Sequence, residues 1–103
     1  MKNTEPNKLL KKLNINPKEP ILLITAEEAL SNLMEVVEEY CPSLKIDKIS
    51  KDDLLKLLNT YADCIINYHP EDDHQERAAL LENFEMLEQY GLSEDDYDSL
   101  DFY

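Results

Sequence analysis

The chain has 103 residues, 43% of them hydrophobic, with 23 acids against 10 bases and a net charge of -13. That length suits one domain with a modest core, and that apolar content excludes a long disordered chain. The charge excludes direct nucleic-acid binding, because counterion release needs clustered Lys and Arg.

Residues 1–19 read as a basic arm, in which Lys2, Lys8, Lys11, Lys12 and Lys18 outweigh Glu5 and Glu19. The arm has positive charge but neither the apolar stretch nor the cleavage site of a secretory signal. Within it Leu9, Leu10 and Leu13 share one side of an amphipathic helix over 7–14, too short to stand alone. Pro17 and Pro20 then break the chain.

The next 73 positions, 20–92, are expected to form the globular domain. Ile21-Leu22-Leu23-Ile24 is a continuous apolar run bounded by proline and threonine, the length of a buried strand. Thr25 and Glu28 have capping-box spacing, with Ile24 at the staple position. The helix that follows aligns Ala26, Ala29, Leu30, Leu33, Met34, Val37 and Tyr40, turns its glutamates away, and stops at Pro42. Leu44, Ile46 and Ile49 nearly alternate, as in a second strand. Ser50 and Asp53 make another capping box ahead of Leu54, Leu57, Leu58 and Tyr61. Cys64, Ile65, Ile66 and Tyr68 are poor helix formers crowded before Pro70, which predicts a third strand over 63–68. The rival is a single helix over 51–68, apolar nearly all round and deeply buried. A last helix spans about 72–90, with Leu80, Leu81, Phe84, Leu87 and Tyr90 inward and Gly91, the only glycine, as its cap.

Alternating strands and helices of this kind predict a small three-layer α/β domain with a short three-stranded parallel sheet. Read without strands, the chain is an all-α four-helix array. The absence of glycine from every expected strand-to-helix loop favours that alternative.

In an α/β domain, ligands gather beyond the C-terminal ends of the strands. Glu27 follows the first expected strand; Glu71 and Asp73 follow the third. In outline the arrangement resembles the acidic site of Toprim phosphotransfer domains, a glutamate after one strand and an acid-x-acid pair after another. The resemblance implies a magnesium-dependent phosphotransfer enzyme using Glu27, Glu71 and Asp73. Here the glycine expected after the first glutamate is missing and the acid pair follows a proline. First-turn acids answering helix dipoles explain these positions equally well. His69 and His74 are not at helical metal-pair spacing, and neither has a cysteine at zinc-site spacing. A single glycine makes no phosphate cradle, and no catalytic motif stands out. Neither an enzyme nor a cofactor is expected. Two cysteines without CxxC spacing make no disulfide framework, and no apolar run reaches the ~20 residues of a membrane helix. A cytoplasmic protein with two reduced thiols is expected.

Charge is distributed unevenly: positions 70–103 hold twelve acids against Arg77 alone. The end of the chain, 93–103, interleaves those acids with Tyr97, Leu100, Phe102 and Tyr103. Ser93 is placed to cap a short helix with Glu94, Asp95 and Asp96 in its first turn, and Leu100 falls one turn after Tyr97. Three outcomes are open: docking on the chain's own core, presentation to a partner, or a solvated tail. The leading functional reading is a small acidic interaction module that inhibits or modulates a basic, nucleic-acid-processing protein. Inhibitors of phage origin, antitoxins and immunity proteins are of this type. Glu94, Asp95, Asp96, Asp98 and Asp101 would mimic phosphates, and Tyr97, Phe102 and Tyr103 would supply buried area. A self-associating structural protein, joined through Leu9, Leu10 and Leu13, is a further alternative.

Overall fold

The computed structural model describes residues 6–67 and 74–101. In chain order it contains helix α1 (Pro6–Lys12), strands β1 (Pro20–Ile21) and β2 (Ile24–Thr25), helix α2 (Ala26–Tyr40) and a 3-10 turn (Ile46–Lys48). Helices α3 (Lys51–Asn67), α4 (His74–Glu82), α5 (Phe84–Glu88) and α6 (Glu94–Leu100) follow. The architecture is all-α. Among the described residues the one sheet is a two-stranded antiparallel ribbon, so the expected three-stranded parallel sheet is corrected, along with the three-layer α/β class.

Each expected strand fails for its own reason. The run Ile21–Ile24 folds back on itself, with Pro20 opposite Thr25 and Ile21 opposite Ile24. Leu22 makes the turn at φ 56, and Leu22 and Leu23 stand 58% and 72% exposed at its tip. A leucine in the left-handed region costs about 1–2 kcal/mol, and no Gly or Asn marks this turn in the sequence. Leu44, Ile46 and Ile49 are indeed buried, but the 3-10 turn brings Ile46 and Ile49 inward three residues apart. The third strand is the end of α3. Its buried residues Leu54, Leu57, Leu58, Tyr61, Ala62 and Cys64 keep helical spacing into the expected strand, and Ile65 packs partly against the same core while Ile66 is exposed. Burying that continuous stripe outweighs the few tenths of a kcal/mol by which Ile disfavours a helix. The rival single helix is therefore the observed one, yet it is amphipathic: Lys51, Asp52, Lys56, Asn59 and Asp63 are exposed along it.

The expected long last helix is split. Asn83 is buried, and its Nδ2 donates to the Ala79 carbonyl at 3.1 Å, a local bond that competes with the helical ladder. The chain turns there from α4 into α5. Beyond α5, the Gly91 amide donates to the Glu88 carbonyl at 3.2 Å and the Leu92 amide to the Leu87 carbonyl at 3.3 Å. With Gly91 at φ 105, this is a Schellman ending whose following residue, Leu92, is buried. The end of α1 repeats the design: Asn14 has φ 63, and the Ile15 amide donates to the Leu10 carbonyl at 2.8 Å.

One apolar cluster joins all of this. It takes Leu9 and Leu10 from α1, the inner faces of α2 and α3, Leu80 from α4, Leu87 from α5 and Leu100 from α6. Helix α6 lies against α2 and α4.

Candidate interaction surface

Helix α6 begins with a capping box. The Asp96 amide donates to Ser93 Oγ at 3.3 Å, and the Ser93 amide donates to Asp96 Oδ2 at 3.0 Å. Asp96 Oδ2 also accepts from Ser43 Oγ at 3.0 Å, a bond to the loop after α2. Leu100, one turn further on, is fully buried. Tyr97 sits at the border: its ring meets Phe84 edge to face, 5.2 Å between centroids at 89°, while 43% of the residue stays exposed.

These anchors hold a helix that would not form alone. It has seven residues and no basic residue in its last turn. Glu94 and Asp98 are one turn apart and both exposed, so they repel by about 0.2–0.5 kcal/mol. Helical geometry puts Glu94, Asp98 and Asp101 in one row beside Tyr97, with Asp95 flanking it. The docked side is Asp96 and Leu100. The core thus fixes a row of carboxylates next to a half-exposed aromatic.

Of the residues expected to meet a partner, Glu94, Asp95, Tyr97, Asp98 and Asp101 lie on the accessible surface of α6. Asp96 is engaged within the chain by Ser43 and Ser93. Phe102 and Tyr103 lie outside the described residues. Two contributors were not among the expected site residues. Phe84 was expected only to face inward, and the partnership of Ser43 with Asp96 spans 53 positions with no local signal.

The acidic cluster that resembled a Toprim site loses its framework. Among the described residues there is no parallel sheet whose strand ends could gather such a site. Glu27 instead stands in the first turn of α2, behind Thr25, whose Oγ1 accepts from the Glu28 amide at 3.3 Å. Glu71, Asp73 and His69 lie outside the described residues. Among the described residues, no three His, Cys, Asp or Glu side chains group as metal ligands would.

The cysteines are free and buried. Burial pushes the Cys41 thiol up to about 12, and the nearby Asp96 carboxylate adds to this. Cys64 is likewise pushed up to about 12, first by burial and then by the hydrogen bond and charge of Glu82. Cys64 Sγ donates to Glu82 Oε2 at 3.3 Å. Both remain neutral thiols at pH 7 and are poor nucleophiles. Burial also raises the Tyr61 phenol to about 12, with Glu76 assisting, although Asn32 Nδ2 donates to its oxygen at 3.0 Å.

The leucines of the basic arm are already covered: Leu9 and Leu10 are buried in their own chain and Leu13 is partly buried. One open groove of about 610 Å³ lies between Lys56 on α3 and residues 81–86 with Gln89 at the α4–α5 corner, next to α6 through the contact of Phe84 with Tyr97. No helix among the described residues is long and apolar enough to cross a membrane.

Comparison with known protein families, curated proteins and solved structures finds no match to this chain.

Proposed function

We propose that the chain is an acidic interaction module that binds a basic protein through the exposed face of α6 and inhibits or modulates it. The observation carrying this reading is the fixed row of Glu94 and Asp98 beside the half-exposed Tyr97. Packed, hydrogen-bonded anchors hold that row in place although its own charges oppose it. An exposed aromatic bordered by acids has the make-up of an interface anchor with a charged rim. The charges would steer a basic partner and set orientation; Tyr97 would supply desolvated area. A protein that grips nucleic-acid phosphates has a surface suited to such carboxylates, so that class of partner is proposed.

The test is comparative capture from the source cell, using the full chain and the triple variant Glu94→Gln, Asp95→Asn, Asp98→Asn. The wild type is expected to retain basic proteins and the variant to lose them. The variant relieves a repulsion of a few tenths of a kcal/mol but gives up the interaction of Glu94 and Asp95 with the N-terminus of α6, about 0.3–1 kcal/mol each, so amide exchange over 94–101 in the variant is measured alongside to show that α6 stays docked. Retention of neutral or acidic proteins only, or equal capture by the variant, would contradict the proposal.

A further inference from the structure

The groove beside α6 shares one side chain with it. Phe84 lines the groove and also packs its ring against Tyr97 at 5.2 Å. That contact links the groove, with Leu81, Phe84 and Met86 among its walls, to Tyr97, which by helical spacing borders the row of Glu94 and Asp98 on α6. Glu82 and Glu85 add two more exposed carboxylates to the groove, against a single base, Lys56, on its α3 wall. Its volume of about 610 Å³ falls in the usual range for binding clefts, ~300–1,000 Å³. A small molecule would fill the groove and leave the adjoining aromatic and acids unused. An amphipathic peptide segment covers both.

We infer that this surface seats a basic amphipathic helix of the partner, with an apolar side chain entering the groove against Leu81, Phe84 and Met86 and its Lys or Arg flank along Glu82, Glu85, Glu94 and Asp98. The inference rests on the proposed binding of a basic protein and adds where and how the partner docks. Apolar anchors at helical spacing, read by a groove, are a recurring recognition mode. Charge complementarity decides the sign of the flank, and Lys56 is the one residue on the wall that opposes it.

Three synthetic helical peptides titrated into the full chain test this, with amide shifts of the labelled protein as the readout. One has a leucine face and a lysine face, one replaces the leucines by serine, and one replaces the lysines by glutamate. The lysine–leucine peptide is expected to bind about tenfold or more tighter than the lysine–serine peptide, the effect of burying one leucine. Its shifts should centre on 56, 81–89 and 97. Lys56→Glu, a surface change that leaves the core intact, should tighten that binding about threefold at low salt. Equal binding of the two lysine peptides, with shifts confined to α6, would overturn the groove assignment while leaving the basic-partner reading standing. No preference for lysine over glutamate peptides would overturn both. An unchanged affinity in Lys56→Glu would also overturn the groove assignment.

Discussion

Leu100→Ala is expected to lower unfolding stability by about 2–5 kcal/mol, the range for truncating a fully buried leucine. The cause lies at the junction of α6 with the core. Leu100 is the one residue of α6 that is buried, and it packs where α6 meets α2 and α4. With it gone, the helix keeps its capping box but loses the contact that offsets its charge repulsion and short length. Thermal melting should show the loss, and limited proteolysis should open new cleavage sites between 93 and 101. Unchanged melting with no new cleavage would mean that α6 does not depend on this anchor. Because the acidic row is presented only while α6 is docked, the variant should also weaken capture of basic partners.

Gly91→Ala is expected to cost at least about 2 kcal/mol, which is large for the addition of one methyl group. Two effects combine. The residue has φ 105, a region that L side chains rarely adopt, and an added Cβ would stand 2.7 Å from the Ser43 carbonyl oxygen. That oxygen belongs to backbone and cannot swing away as the end of a side chain would. The segment it belongs to is held close by the Lys45 amide, which donates to the Tyr90 carbonyl at 2.7 Å. Tyr90 also ties this region to α3, its hydroxyl donating to Asp53 Oδ2 at 2.6 Å and accepting from the Ser50 amide at 3.3 Å. Moving Ser43 aside would therefore strain these bonds and the one from Ser43 to Asp96. A urea titration measures the cost; a midpoint equal to wild type would show that the junction is looser than the geometry implies.

Local signals were legible where chemistry acts over three or four positions. The caps at Thr25, Ser50 and Ser93, the apolar face of α2 and the ending at Gly91 all follow from short-range hydrogen bonding and helical spacing. What misled was apolar clustering read as β structure. Ile65 and Ile66 have strand-like side chains, yet Ile66 is 54% exposed and the stripe through Tyr61 and Cys64 carries the helix on. The turn at Leu22–Leu23 has no turn chemistry to announce it, because the packing of Ile21 and the helix start at Thr25 impose it. The candidate surface was half legible. The acids and Tyr97 are plain in the sequence, but the pairing of Phe84 with Tyr97 and of Ser43 with Asp96 depends on tertiary packing across long separations. So does the division of labour within α6, where Asp96 and Leu100 hold the helix while Glu94, Tyr97 and Asp98 are left to face outward.

Residues 94–101 are held as a fixed part of the fold that presents their charges, and amide hydrogen exchange over 94–101 in the full chain tests whether they are. The amides of Asp96, Tyr97 and Asp101 donate to Ser93 Oγ, the Ser93 carbonyl and the Tyr97 carbonyl. They are predicted to exchange about a hundredfold or more slower than in a free peptide of the same sequence. Exchange at free-peptide rates would show that α6 is not docked on the core.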